Sequence, residues 1–444
     1  MALIWTAAGS SFSASATLRC AALPGSGKHA DRLLSALHTA APHDSAAAHR
    51  LIRKFLAKSS KSAALFALSR FLYLSSPYTL AIYEQISDAS WFKWKPKLAA
   101  SVIAVLEKQG RYDEAQTLAL DAVARLNASR DLALFYCDLI DAFSEQGLTQ
   151  SLHKAYEHLQ EIPFSERRFH GSSIKALCSM GKPADAEEKL NEMASSGFEP
   201  SPPEFKMIVQ SYGQLGLFSE MRKILRSMED AGAEIDTVCC NIALSCYGHH
   251  GKLSEMVSWM EKMRALGVGF SVRTFNCVLN SCPTLLSICS KGTIQSFSES
   301  NSRSLPLSVD ALLKKLEADS PSPSSSTEAL LVKNLIASSV LDDNLEWSSS
   351  GSKLDLHGFH VTSAYIILLN WMQELRLRLS KENAVPLEIS IICGTGNHSQ
   401  RRGQSPIKIL VSEIMFQTSS PMRIDRKNSG RFIASGKAIK EWLC

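Results

Sequence analysis

Three sets of residues recur in this chain at one interval. Gly181, Gly216 and Gly251 are 35 residues apart, as are Met193, Met228 and Met263, and as are Gly197, Gly232 and Gly267. A period in the range of about twenty to fifty residues marks a stacked array, in which each unit buries its apolar face only against its neighbours. Within a unit the apolar spacing is helical: Phe205, Ile208, Val209 and Tyr212 precede Gly216, and Met221, Ile224, Leu225 and Met228 precede Gly232. Glycines suit the ends of such helices, where a left-handed backbone carries no Cβ clash. The unit is therefore a helical hairpin, and residues 167–271 are expected to form an α-helical repeat solenoid.

The pattern extends in both directions with lower fidelity. Helical periodicity begins near Lys61 with Ala64, Leu65, Leu68 and Leu72, and Gly110 and Gly147 mark further units spaced by 37 and then 34 residues. The expected array covers residues 62–283. Two readings compete for Trp91-Phe92-Lys93-Trp94-Lys95-Pro96: aromatics among lysines can stack on bases, or can cap the open end of a solenoid, which is favoured. A further hairpin starts at Val272 with Phe275 and Asn276, and Pro283 is predicted to stop it.

Composition narrows the setting. The 444 residues include eleven cysteines, an odd and scattered set without a Cys-x-x-Cys pair, which argues against a disulfide framework or a zinc ribbon and fits a reducing interior. Cys239, Cys246, His249 and His250 are read as packing residues of a hairpin rather than metal ligands. The net charge of +5 is unevenly placed: residues 1–60 carry seven basic and two acidic side chains, residues 351–444 carry thirteen and seven, and the middle holds 28 and 34. An acidic middle does not favour non-specific polyanion binding, which needs clustered Lys and Arg. Residues 1–55 are rich in Ala, Ser and Thr, with no acidic residue before Asp31, the composition of an organelle transit peptide; the Met-Ala start favours the chloroplast, with the mitochondrion as alternative. No stretch approaches the run of about 18 apolar residues that a membrane span requires.

Residues 284–350 are read as a Ser-rich linker, carrying two amphipathic pieces at 309–318 and 327–341. Beyond it the signals alternate between strand and helix: strands over 353–356 and 387–392, helices over 362–379 and 406–416, and two strands within 422–433. Residues 351–437 are thus expected to form a small two-layer α/β domain. Ligands of open α/β sheets gather at the carboxyl ends of strands. Two loops there carry chemistry, Leu354-Asp355-Leu356-His357-Gly358 and Gly394-Thr395-Gly396-Asn397-His398. Glycines let backbone amides approach a phosphate, Arg401, Arg402 and Lys408 supply positive charge, and Asp355 with His357 could manage a proton or hold a metal.

The repeat, with Gly181-Lys182-Pro183-Ala184-Asp185-Ala186, Met193, Gly197 and Pro200, resembles the pentatricopeptide repeat; a strict 35 disfavours the tetratricopeptide repeat, whose period is about 34. The ordered set Leu-Asp-Leu-His-Gly, Gly-x-Gly-Asn-His-Ser, Gly403-x-Ser405-Pro406-x-Lys408 and Asn428-x-Gly430 resembles the Small MutS-Related domain. That second resemblance implies a domain that binds or nicks nucleic acid, with Asp355 and His357 as cleavage residues and Mg2+ at Asp355. Cys393 replaces the family's usual threonine, and Thr395 stands where several nucleolytic members have tryptophan, which weighs against cleavage more than against binding. The first resemblance implies single-stranded organellar RNA as partner, alongside other RNA-processing proteins, with about one base read per unit. Its base-selecting positions fall on Asn241 with Ser271, Lys206 with Asp236, Gly171 with Ser201, and Asn276 with its partner lost. A protein-interaction scaffold is the third reading, favoured by the acidic middle.

Overall fold

The computed structural model describes residues 26–40, 44–163, 165–294, 306–318, 323–381, 385–394 and 405–443. They fall into two compact units that divide between Ser211 and Tyr212. The repeat period is built into the helices: Arg167–Ser179, Pro183–Ser195, Pro202–Gln214, Phe218–Asp230, Thr237–His249 and Leu253–Ala265 each have 13 residues.

What ends each helix explains the periodic residues. Gly181, Gly197, Gly216, Gly232, Gly251 and Gly267 all have φ between +64° and +83°. At Gly197, the amide of Phe198 donates to Met193 O at 3.1 Å and that of Gly197 to Ala194 O at 3.0 Å. This paired closure turns the chain back while satisfying carbonyls that the helix leaves open. Ala233 on Met228 and Val268 on Met263 repeat it at 3.1 and 2.9 Å. Each methionine is thus both acceptor of the closing bond and, fully buried, part of the core.

A second pair of glycines at the same interval was not singled out in the sequence. Gly213 and Gly248 lie inside helices, and a Cβ on either would collide with the next unit: at Gly213 with Cys246 Cβ in the facing helix at 2.7 Å, at Gly248 with Ser281 Cβ in the turn after Leu279 at 2.8 Å. Cys246 and Ser281 are themselves 35 residues apart.

In the first unit the helices begin ahead of residue 62. Ser26–Ala40 and Ser45–Leu56 place Leu33, Leu34, Leu37, Ala48 and Ile52 in one core with Leu68, Phe71 and Ile82. Both helices fall in the segment 1–55 read as a transit peptide; the alanines that suggested targeting are also strong helix formers, and Ala30 and Ala48 are buried. Residues 1–25 lie outside the described residues. Trp91, Phe92 and Trp94 occupy a loop and are half-buried against this core, with the Tyr83 ring edge-on to Phe92. Helical hairpins precede and follow that loop in the chain, so it packs within the unit instead of capping its end.

In the second unit the described residues of 284–350 are largely helical, and the amphipathic pieces expected at 309–318 and 327–341 fall on helices. Pro283–Ile294, Val309–Ala318, Pro323–Ile336 and Val340–Asp343 are helices. Pro283 opens a helix rather than stopping one, because the first helical turn needs no amide donor there. The amides that follow it, Thr284 N and Leu285 N, donate at 3.1 and 3.0 Å to the fully buried carboxylate of Glu328.

The α/β part is larger than expected. Strands β1 (Leu345–Trp347), β2 (Gly351–Asp355), β3 (Glu388–Ile392), β4 (Arg423–Ile424) and β5 (Arg431–Ser435) form one sheet in the order β1-β2-β3-β5-β4. Only β2 and β3 pair in parallel, with Asp355 opposite Ile392. The helix Val361–Lys381 makes that crossover and buries Tyr365 and Trp371 completely. Helices Pro406–Gln417 and Gly436–Leu443 complete the domain; β1 and the last helix were not expected from the sequence. No helix among the described residues is long and apolar enough to cross a membrane.

Two outcomes follow. Gly232→Ala is expected to cost about 1 to 2 kcal/mol from its positive φ alone, since a Cβ there meets nothing within 4 Å. Gly213→Ala is expected to destabilise as well, because overpacking of about 1 to 3 kcal/mol outweighs the gain of up to about 1 kcal/mol that alanine brings inside a helix. Urea unfolding of the full chain measures both, and a stabilised Gly213→Ala would contradict the close approach of Cys246. His170, buried between Phe169 and Phe198 with neither ring nitrogen bonded, has its pKa lowered by burial. The unfolded chain then binds the proton more readily, so this stability is present above about pH 6.5 and is lost on acidification. His170→Phe should flatten the fall in unfolding midpoint between about pH 7 and 5.

Candidate nucleic-acid interface

The parallel pairing of β2 and β3 brings their carboxyl ends together. Asp355 closes β2, and its Oδ1 accepts the amide of His357 at 2.9 Å and lies 2.6 Å from His357 Nδ1. The carboxylate therefore holds Nδ1 as the proton donor and leaves Nε2 as the acceptor. Nε2 faces Gly394 at the end of β3, where a Cβ would come within 3.3 Å of it and where φ is +76°. Both side chains remain open to solvent, His357 at 59% and Asp355 at 40%. An oriented imidazole with a free acceptor nitrogen can take a proton from a hydroxyl or a water.

Cys393, beside it, is buried. Burial pushes its thiol up to about 12, with the Lys408 charge opposing and Asp355 adding to the rise. Its amide donates to Gly430 O at 2.8 Å, and its carbonyl accepts from Ser405 Oγ at 3.3 Å. These contacts bring the N-terminus of Pro406–Gln417, with half-buried Lys408 in its first turn, to the same edge as Asp355 and His357. A positive side chain and a helix N-terminus together favour a phosphate there. For magnesium, the described residues offer no group of three His, Cys, Asp or Glu side chains, and the Asp355 oxygen named above is already shared by two donors. Thr395, Gly396, His398, Arg401 and Arg402 lie outside the described residues.

The helical array presents its expected base-selecting residues unequally. Asn241, on Thr237–His249, donates from Nδ2 to Ser271 Oγ at 3.4 Å, so the sequence pair is a spatial pair. Asn241 Oδ1 has no partner, although the residue is only 4% exposed. Ser271 also caps the next helix in a reciprocal box with Thr274. Asp236 is exposed and caps Thr237–His249 through Cys239 N at 2.8 Å. Lys206 is half-buried on Pro202–Gln214 and engaged with a partner. Glu204 stands against Gly171 and accepts from Ser201, so that position is filled by a carboxylate.

Asn276 is the clearest departure from expectation. Its Nδ2 donates to Gly358 O at 2.7 Å and its Oδ1 accepts from His360 N at 2.8 Å, and it is only 8% exposed. Both amide functions are spent on the turn that follows Asp355 and His357, so Asn276 is not open to a base. Asn280 to His360 Nδ1 and the edge-on pair of Phe275 and Phe359 extend this contact. Neither Asn280 nor Phe359 had a sequence signal, and Phe275 was marked only as the start of a hairpin, because their partners lie about eighty residues away along the chain.

Comparison with known proteins agrees with the helical reading. A family model described as the PPR repeat matches residues 174–198, 205–232 and 238–268. Pentatricopeptide repeat-containing protein At2g17033 of Arabidopsis thaliana is 45% identical over 432 residues, covering 94% of this chain and 82% of the relative. A second Arabidopsis thaliana pentatricopeptide repeat-containing protein, At3g53170, is 23% identical over 193 residues, 43% of this chain and 42% of its own length. Among solved structures, the pentatricopeptide repeat protein PPR10 from maize aligns with a TM-score of 0.35 and 14% identity, over 87% of this chain and 61% of that one. The structure of PPR10 in complex with an 18-nt psaJ RNA element aligns at a TM-score of 0.36 and 16% identity, over 79% and 57%.

Removing the carboxylate tests the orientation of the imidazole. In Asp355→Ala, long-range proton–nitrogen spectra of histidine-labelled protein should show His357 shifting from the Nδ1–H tautomer toward the Nε2–H form that predominates in free imidazole. An unchanged tautomer would mean that some other group sets it.

Proposed function

The chain belongs to the pentatricopeptide repeat family, and from that premise we propose that it is an RNA-binding protein of the chloroplast, with the mitochondrion as alternative compartment. It assists the processing, splicing or translation of an organellar transcript. The observation that carries this reading is the pairing of Asn241 with Ser271 on successive helical units, at the positions where this family reads a base. In repeats of this family one base is read per unit by two or three side chains. Here the other positions are a glycine faced by a carboxylate, a helix cap, and an asparagine already spent. At about 1 to 3 kcal/mol per recognised base, so few readers give low sequence specificity, and a protein partner or a short structured site must supply the rest.

The α/β domain, read as a Small MutS-Related domain, adds affinity through Lys408 and the N-terminus of its helix. A second reading, endoribonuclease, is favoured by one observation: Asp355 orients His357 with Nε2 free. In that case Nε2 would accept the proton of the attacking hydroxyl at a phosphodiester held beside Lys408. The third reading is a protein-interaction scaffold, for which the acidic middle speaks.

One experiment separates the three. The tagged full-length protein is recovered from isolated plastids, its RNA is sequenced, and that RNA is incubated with the purified protein with and without magnesium. Enrichment of a defined transcript without cutting is the expected result. A cut at a fixed site that disappears in Asp355→Ala would replace the binding reading by the enzyme. No enriched RNA, together with no binding of single-stranded RNA at low salt, would leave the scaffold.

A further inference from the structure

We propose that the last helical unit has been converted from a base reader into a mount for the Asp355–His360 turn, so that this turn takes the nucleotide adjoining the one held by Asn241 and Ser271. The proposal deepens the RNA-binding reading and rests on it.

Asn276 follows Asn241 by 35 residues and occupies the same place in the next unit. An asparagine there could offer its amide edge to a base. Instead it offers that edge to a peptide backbone: Nδ2 holds Gly358 O, and Oδ1 holds His360 N. A bidentate contact of this kind fixes position and rotation together, as an asparagine does on an adenine edge. The backbone it grips begins one residue after His357. Asn280 secures the His360 ring, Phe275 meets Phe359 edge-on with centroids 6.2 Å apart, and a Cβ at Gly358 would reach Val272 Cγ1 at 3.7 Å. The turn is thus pinned directly after its exposed histidine, by the short helix Val272–Leu279 and its C-cap Asn280.

That helix also carries the array's register. Its cap is Ser271, the partner of Asn241. The residue that completes the last readable pair and the residue that grips the turn are therefore five positions apart on one rigid segment. Packed helices lie about 8 to 10 Å apart, and one unit serves about one base, so the place that Asn276 has vacated is that of the next nucleotide. Directly before the gripped backbone stands His357, with Lys408 and the N-terminus of Pro406–Gln417 at the same sheet edge. A base edge has been exchanged for a backbone site suited to sugar and phosphate.

Photocrosslinking tests this with the full chain. The probe is a pool of random single-stranded 18-nucleotide RNAs containing 4-thiouridine, and crosslinked peptides are mapped by mass spectrometry. Expected in the native protein are crosslinks to the peptide spanning 237–249 and to the turn at 355–360. In the double variant Asn276→Ala, Asn280→Ala, the yield at the turn should fall about tenfold, the equivalent of hydrogen bonds left unmade at the mount, while the yield at 237–249 holds. Asn276→Asp, which keeps the shape and the acceptor for His360 N but loses the donor to Gly358 O, should give the same selective loss with unchanged helix content by circular dichroism. Crosslinks at 237–249 with none at the turn in the native protein would overturn the proposal, as would an undiminished turn crosslink in both variants. Absence of crosslinks anywhere would instead remove the RNA-binding reading on which it rests.

Discussion

A helix that must stop after thirteen residues and fold back on itself needs one residue whose backbone can turn left-handed, and a glycine supplies it at every closure in residues 167–271. The amide beyond that glycine returns to the carbonyl of the residue five back, and in the second helix of each unit that residue is a buried methionine. Helix length, reversal and core are therefore set by one local bond, and its recurrence every 35 residues repeats the hairpin along the chain. Methionine is well suited to the place, being unbranched and able to fill an irregular gap beneath a turning chain.

The same local character made the array legible in the sequence. Gly181, Met193, Gly197 and their repeats each answer to a neighbour within five residues, so spacing alone exposes them. Gly213 and Gly248 answer to the next unit instead, and a lone glycine inside a helical stretch looks like a cost rather than a contact. The helix that opens at Pro283 was missed for a related reason. Pro283 can end one helix or begin another, and what decides is Glu328, a carboxylate more than forty residues further on. Alanine-rich residues before 62 gave two compatible signals, targeting and helix packing, and composition does not separate them.

At the candidate site the residue types were readable and their engagements were not. Asp355 closes β2 and His357 stands two residues on, in the turn, and the short contact between them follows from that spacing. The role of Asn276 does not follow from any spacing, since the atoms it meets are backbone groups that any sequence would carry. Asn241 keeps its place beside Ser271 because that contact runs between adjacent units, where the repeat register alone determines it. Position within the repeat says where a side chain stands; only the tertiary partner says whether its hydrogen bonds are still available.

The buried Glu328 and the engaged Asn276 also bear on how such a chain is made. Hairpins closed by local bonds can fold in turn as they leave the ribosome, each resting on the one before. The helices from Val272 to Ile294 cannot finish in that way: their amides wait for residue 328 and their asparagine for residues 358 and 360. The array thus grows quickly from its amino end and is sealed late, by contacts of large sequence separation that carry a loop-closure cost. Until residues 328 to 360 have been synthesised, the amides of Thr284 and Leu285 and both amide functions of Asn276 lack the partners they have in the folded chain.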